Sequence, residues 1–132
     1  MKFASTRLIA GDIKTMVGFY ELVTGLSAEW LAPQFAEIVT PSATLAIGSA
    51  ETVALFRAGS AEPGANRTAM IEFMVDDIDA QFARVKDKVE VVHEPKMMPW
   101  GNRAAQFRDP EGTIVGLFMP VTDAAKERFA SR

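Results

Sequence analysis

The stretch that decides the fold is LIAGDIKTMVGFYELVTG, which runs from Leu8 to Gly25. Its first residues mix polar and apolar side chains as a β-strand does, and Asp12 then stands where the N-cap of a helix belongs. Apolar residues follow at helical spacing as far as Tyr20, and Gly25 is a typical helix stop. The stretch predicts a β-strand followed by an α-helix.

The same order returns in the second half of the chain. Residues 70–75 are strand-like, and Asp77 can cap a helix whose apolar face continues to Val89. The Asp77-Ile78 pair stands 65 residues after Asp12-Ile13, about half the chain, which indicates an internal duplication. Three short strand-like segments follow each helix, at 28–31, 35–40 and 44–47 and again at 90–93, 103–107 and 113–118. Each repeat is predicted to be a βαβββ unit.

These repeats set the expected boundaries within one domain of ordinary size. Module one covers about 1–57, a Gly/Pro-rich linker about 58–67, module two about 68–120, and a C-terminal tail 121–132. The segment ETVALF, residues 51–56, is either a further extended segment or a helical turn, because a short apolar run has no diagnostic period. The tail is either a short helix with Asp123 as its cap or a frayed end.

Composition excludes several classes of function. The formal net charge is −3 with interspersed charges, so there is no basic stripe for nucleic acid. Cysteine is absent, which excludes disulfides, thiolate metal ligands and a cysteine nucleophile. No apolar run has the length of a membrane span, and the start lacks the pattern of a signal peptide. We expect a cytoplasmic protein without membrane or nucleic-acid partners.

Three segments carry a resemblance to a known family. LIAGDIKTMVGFYELVTG and EFMVDDIDAQFARVK (72–86) resemble the openings of the two modules of the glyoxalase / bleomycin resistance / dioxygenase superfamily, also called vicinal oxygen chelate proteins. EPKMMPWGNRAAQFRDPEGTIVGLF (94–118) resembles its closing hairpin. The resemblance implies an α+β fold in which the modules form a curved, mostly antiparallel eight-stranded sheet around a cavity. It also implies a homodimer.

The resemblance implies a divalent metal in many members, but the matching positions here are poor donors. They fall on Ser5, Met70 and Gly116, and the fourth falls near 45–47, or near Ala54 if ETVALF is the last strand of module one. His93 is the one histidine, so a two-histidine site is impossible within one chain. We predict no metal and no cofactor, unless a different register brings Glu51 or Glu72 into a site.

Strand alternation predicts which side chains face the cavity. Counting from Ser5 and Met70 places Arg7, Glu72 and Met74 inward. Counting the closing hairpin outward from Asp109 and Gly112 pairs Phe107 with Ile114, Ala105 with Gly116 and Arg103 with Phe118, all on the inward face.

Arg7 and Glu72 occupy equivalent positions of the two repeats, which leaves two readings. They can form an ion pair that neutralises a part-buried arginine. Alternatively, Arg7 and Arg103 form a fork for an acidic ligand. Trp100, beside Met97 and Met98, either packs the hairpin or offers an aromatic face to a ligand. His93, near a strand end, is expected to have a surface or structural role.

The sequence thus favours a metal-free protein that binds an aromatic or amphipathic small molecule, similar to bleomycin-resistance-type sequestration proteins and their role in antibiotic resistance. A metal-dependent lyase, isomerase or dioxygenase is the alternative if the ligands are misaligned. A metal-independent enzyme with Glu72 as general base is a third reading. The expected ligand-binding residues are Arg7, Met70, Glu72, Met74, Trp100, Arg103 and Phe118.

Overall fold

The structure, a computed structural model, describes residues 1–132. It divides into two compact units. The first comprises Met1–Arg67 with Pro110–Gly112, and the second comprises Thr68–Asp109 with Thr113–Arg132. The change from one unit to the other at residue 67 coincides with the end of the predicted linker. Each unit contains one βαβββ repeat, which confirms the α+β class and the duplication.

The first unit contains β1 (Ser5–Ala10), α1 (Ile13–Thr24), β2 (Glu29–Ala32), β3 (Phe35–Val39) and β4 (Thr44–Ser49). Its sheet has the order β1-β4-β3-β2, in which β1 and β4 are parallel and the other pairs antiparallel. A 3-10 helix, Ala50–Leu55, follows β4, so ETVALF is a helical turn and β4 is the last strand of this repeat.

The second unit repeats this order with β5 (Met70–Met74), α2 (Ile78–Val85), β6 (Glu90–Met97), β7 (Asn102–Arg108) and β8 (Ile114–Pro120). A short 3-10 helix, Lys86–Lys88, follows α2. The strand order β5-β8-β7-β6 is equivalent to that of the first sheet, again with one parallel pair. The eight strands thus form two four-stranded mixed sheets, one in each repeat.

The helices begin where the sequence predicts. The Asp12 carboxylate accepts the backbone N–H of Thr15 at 3.2 Å, and Asp77 accepts that of Ala80 at 3.1 Å. Gly25 ends α1 with a φ of 71°, a left-handed conformation that glycine adopts without strain. Local capping chemistry is therefore sufficient to define both helix starts.

Each helix packs on one face of its own sheet. In the first unit Tyr20, Ile38 and Ile47 are fully buried. In the second unit the Phe82 ring of α2 stacks on Phe107 of β7 with centroids 6.0 Å apart. Burial of these apolar side chains is the main source of stability in each unit. The opposite face of each sheet, which we call its open face, carries more exposed side chains.

The closing hairpin differs from the expected register by one residue. Phe107 pairs with Val115 and Ala105 with Leu117, so the predicted pairs with Ile114 and Gly116 are wrong. The turn closes between Asp109 and Thr113, through the Asp109 N–H to the Thr113 carbonyl at 2.8 Å and the Thr113 N–H to Asp109 Oδ1 at 3.0 Å. A one-residue change in register turns every paired side chain to the other face.

The C-terminal residues form a third helix, α3 (Asp123–Ala130). Thr122, one residue before the expected cap Asp123, accepts the Ala125 N–H at 3.2 Å through its side chain. The tail is thus a capped helix. None of the helices is long and apolar enough to span a membrane.

Candidate functional site

The open face of the first sheet carries Arg7 in a row of paired residues. Arg7 of β1 pairs with Ala46 of β4, and Ala46 pairs with Glu37 of β3. Paired residues on neighbouring strands point to the same side, so Arg7 and Glu37 share this face. The alternate residues Ala36, Ile38 and Ile47 are fully buried on the α1 side. Arg7 therefore lies on the open face, where alternation places it.

The Arg7 guanidinium contacts two phenyl rings. Its central carbon is 4.6 Å from the centroid of Phe35, on β3, and 5.5 Å from that of Phe56, which follows the 3-10 helix. These distances are typical of cation–π contacts. The Phe56 ring is 73% exposed. The arrangement holds a positive charge on an accessible, partly aromatic surface, while the pairing of Arg7 with Glu72 stays a prediction.

The open face of the second sheet carries the predicted residues of β5. Met70 and Met74 are 52% and 56% exposed, and Glu72 between them is exposed as well. The parallel partners of these residues on β8 are Ile114, Gly116 and Phe118. Met70, Glu72, Met74 and Phe118 thus share one face, as expected.

Gly116 makes room for the Glu72 side chain. A Cβ atom at Gly116 would lie 3.4 Å from Glu72 Cγ and 3.7 Å from its Oε2. The carboxylate-bearing side chain of Glu72 therefore extends over the glycine of the neighbouring strand. The space that a larger residue would fill at position 116 is used by Glu72 instead.

Two polar residues of this face were not predicted as site residues. Gln106 pairs with Gly116, and its Nε2 atom lies 3.7 Å from Met70 Sδ. His93 pairs with Gln106, which places it in the same row as Glu72, three strands away or about 14 Å. His93 Nδ1 lies 2.8 Å from the carbonyl of Glu94. The correct hairpin register would have placed Gln106 on this face, whereas the position of His93 depends on the irregular pairing of β6 with β7.

Arg103 does not belong to this face, which corrects the prediction that it faces inward. It alternates with Ala104 and Gln106, and lies on the α2 side of β7 with Phe107. Its Nη2 and Nε atoms contact the Asp79 carboxylate at 2.8 and 3.1 Å. This hydrogen-bonded pair lowers the pKa of Asp79 and raises the pKa of Arg103. Arg103 is an ion-pair partner of α2.

The two tryptophans occupy different surroundings. Trp100 lies in the turn between β6 and β7 and is 60% exposed; Arg128 of α3 approaches its backbone carbonyl at 3.4 Å. Trp30 lies on the edge strand β2, pairs with the buried Ala36, and is 45% exposed. Trp100 thus offers an accessible indole, whereas Trp30 shares the α1 side of the first sheet.

Helix α3 contacts the open face of the second sheet at its far end. The ring of Phe129 lies 5.1 Å from that of Phe118, at an angle of 47°. Phe118 is one of the predicted ligand-binding residues. In this structure it packs against the C-terminal helix.

The residues at the family's metal positions do not fit a divalent metal. Because β4 is the last strand of the first repeat, the fourth metal position can be located by strand pairing. Gly116 of β8 pairs with Glu72 of β5, and the equivalent pair in the first repeat is Ala46 with Arg7. The fourth metal position is therefore Ala46. The set is then Ser5, Ala46, Met70 and Gly116, which lacks imidazole and carboxylate donors. No group of three or more histidine, aspartate or glutamate side chains is arranged to hold a metal ion.

Comparisons with known proteins agree with this fold. The chain is similar to the YraH protein of Bacillus subtilis, with 28% identity over 125 residues, covering 89% of this chain and 98% of the relative. A solved protein of the glyoxalase/bleomycin resistance protein/dioxygenase family from Burkholderia phytofirmans superposes with a TM-score of 0.80 at 17% identity, covering 92% of this chain and 100% of that one. A second solved protein of this family, from Nocardioides, superposes with a TM-score of 0.75 at 24% identity, covering 93% of this chain and 85% of that one.

A comparison of the sequence with family models also identifies this family. The model of the Glyoxalase/Bleomycin resistance protein/Dioxygenase superfamily matches residues 2–117, which include both repeats up to β8. The two duplicated βαβββ units, their strand order and this match together identify the family. The chain belongs to the Glyoxalase/Bleomycin resistance protein/Dioxygenase superfamily.

Proposed function

We propose that this protein is a metal-free binding protein for an aromatic or amphipathic acid, similar to bleomycin-resistance-type sequestration proteins. The observation that carries the proposal is the contact of the Arg7 guanidinium with the rings of Phe35 and Phe56 on the open face of the first sheet. It combines a cation with an apolar, partly exposed surface. An aromatic acid has the complementary combination.

The chemistry of arginine supports this ligand class. A guanidinium stacked on rings keeps the N–H donors at its edge available, and these match a carboxylate in a bidentate contact. A charge-assisted bond of this kind is about twice as strong as a neutral one. The exposed Phe56 ring can stack on a flat ligand. Arg7 is thus the proposed charge anchor.

The open face of the second sheet supports binding of apolar groups. Met70 and Met74 present flexible thioethers that adapt to ligand shape, and both are more than half exposed. We propose Phe118 and Trp100 as further contact residues of this unit. The homodimer and the cytoplasmic location also remain predictions from the sequence.

A second candidate function is metal-independent acid–base catalysis by Glu72. The observation that favours it is the side chain of Glu72 over Gly116, where the carboxylate is exposed on the open face of the second sheet. A carboxylate in that position could accept a proton from a bound substrate. A screen for turnover, repeated with Glu72→Gln, tests this candidate, since the substitution removes the base with little change in size.

The experiment for the binding function measures the preference for an acid over its neutral analogue. Naphthoate and naphthamide are titrated by calorimetry into the wild type and Arg7→Met. We expect Arg7→Met to lower the affinity for naphthoate about tenfold, because the charge-assisted bond is lost, and to leave the affinity for naphthamide nearly unchanged. Equal affinities for the two probes in the wild type would contradict the proposal.

Two arginine variants serve as controls. Arg84 lies on α2 and bonds to Gln81, so Arg84→Met should keep the preference for naphthoate. Arg103→Met should keep it as well, because Arg103 is turned toward Asp79. If Arg103→Met lost the preference for naphthoate and Arg7→Met kept it, the charge anchor would be Arg103, and the assignment to Arg7 would be wrong.

A further inference from the structure

A groove lies between α3 and the ends of β5 and β8 in the second unit. Its volume is about 520 Å³, within the range of small-molecule sites. Its apolar lining residues are Met74, Val75, Met119, Pro120, Val121, Phe129 and Ala130. Asp76 and Lys126 are the charged residues that line it. The lining of the groove is therefore mainly apolar, with one acidic and one basic side chain.

The one cation of the groove lining, Lys126, lies on the α3 wall. Besides Lys126, Arg128 and Arg132 place their guanidinium carbons 5.0 and 5.2 Å from the centroid of the Phe129 ring. Asp76 is the one acidic residue of the lining. Helix α3 also carries Asp123 and Glu127, but neither of these carboxylates lines the groove. Because Lys126 lies on α3 whereas Asp76 follows β5, an anionic head group is favoured at the α3 wall, beside the Lys126 ammonium.

The position of α3 is set by tight packing, so the groove has a defined shape. Ala125 is fully buried, and a Cβ atom built at Gly101 would lie 3.1 Å from Ala125 Cβ and collide with Thr122 Oγ1. The backbone N–H groups of Val121 and Thr122 both donate to the Gly101 carbonyl, at 3.0 and 3.2 Å. The start of α3 is therefore held against the turn between β6 and β7.

We propose that this groove is a second binding site, which takes an amphipathic anion with an alkyl or aryl body. Its carboxylate pairs with the Lys126 ammonium, and its body lies between Met74 and Phe129. The site uses none of the residues around Arg7. It shares Met74 with the apolar contacts proposed above but has a different charge anchor, so it goes beyond that function, and the two anchors can be tested separately.

The test uses methyl NMR of the full chain, whose seven methionines give separate reporters. Octanoate, octanol and octylammonium are titrated below their micelle concentrations. We expect octanoate to bind most tightly and to shift the methyls of Met74 and Met119, while the buried Met16 in the first unit stays unchanged. Shifts in Met16 without Met74 and Met119, or no octanoate binding, would overturn the proposal.

Variants assign the contacts. Lys126→Gln should lower the affinity for octanoate about tenfold, because one charge-assisted contact is removed, and leave the affinity for octanol unchanged. The matched control is Lys88→Gln, on the exposed 3-10 helix that follows α2. Ala130→Trp, at an exposed position of the lining, should block all three probes without disturbing the core. Tighter binding of octylammonium than octanoate would reverse the charge assignment and refute the proposal.

A last variant separates the two sites. Arg7→Met should leave octanoate affinity within twofold of the wild type. Binding of octanoate without binding of naphthoate would support the groove and contradict the proposed function at Arg7. Binding of naphthoate without binding of octanoate would refute the groove proposal and leave the proposed function at Arg7 unaffected.

Discussion

At the scale of single residues, glycines decide where loops and side chains can approach one another. Gly112 has a φ of 92°, and a Cβ atom there would lie 2.5 Å from Arg67 Nη1. The Arg67 guanidinium approaches the Gly112 carbonyl at 3.4 Å, and the neighbouring Glu111 carboxylate accepts the Gly11 N–H at 2.9 Å. The turn after Asp109 thus depends on a residue without a side chain.

The first prediction concerns this turn. Gly112→Ala should lower the free energy of unfolding by about 1–3 kcal/mol, because alanine is strained at positive φ and its methyl displaces Arg67. Urea unfolding followed by circular dichroism measures the change. The control is Gly18→Ala in α1, where a Cβ meets nothing within 4 Å; it should raise stability by about 0.5–1 kcal/mol. Equal effects of both substitutions would contradict this account.

At the scale of elements, the short helices after β4 and β8 occupy equivalent places in the two repeats. The 3-10 helix contacts the first sheet at Gly48, where a Cβ would lie 2.8 Å from Thr52 Oγ1. Helix α3 packs on Phe118, whose repeat equivalent on β4 is Gly48. Each repeat thus covers one end of its open face with the segment that follows its last strand.

The element-scale prediction tests how α3 is held. Gly101→Ala should release the helix, because Gly101 has a φ of 96° and an added methyl collides with Thr122 Oγ1. Limited trypsin digestion should then cleave after Lys126 and Arg128 several-fold faster than in the wild type, because a released helix is locally unfolded. Gly18→Ala again provides a control. Unchanged cleavage at these two sites would show that Gly101 does not anchor α3.

At the scale of the whole molecule, this chain lacks metal-ligating side chains at the positions where many members of the family bind a divalent metal. Ser5, Ala46, Met70 and Gly116 stand where donors are expected, and an arginine and a glutamate stand two residues after Ser5 and Met70. Because transition metals need imidazole or several converging carboxylates, these residues form no site for one.

We therefore expect the purified protein to contain no stoichiometric Zn, Fe, Mn or Ni. Inductively coupled plasma mass spectrometry of protein purified without chelator or added metal measures this. Dialysis against a chelator should leave the urea midpoint unchanged, since no metal contributes to stability. One equivalent of tightly bound metal per chain would refute the metal-free proposal.

The chain is also expected to form a homodimer, as the family resemblance implies. Light scattering at micromolar concentration should give twice the 14.4 kDa mass of one chain. A specific interface should bury about 800 Å² per subunit. The exposed apolar residues Trp30 and Leu31 of the edge strand β2 are available for such an interface. A monomer mass over the whole concentration range would contradict this prediction.

The sequence by itself determined the duplicated βαβββ order, the caps Asp12 and Asp77, the stop at Gly25, and the open-face positions of Arg7, Met70, Glu72 and Met74. These features depend on local rules, since capping and strand alternation involve residues close in the chain. The tertiary structure alone decided that residues 50–55 form a 3-10 helix, that the Arg7 guanidinium contacts the Phe35 and Phe56 rings, and that Arg103 faces Asp79. The hairpin register turned Arg103 to the α2 side, because the turn closes between Asp109 and Thr113 rather than between Asp109 and Gly112, and this one-residue shift moves Arg103, Ala105 and Phe107 of β7 to the other face.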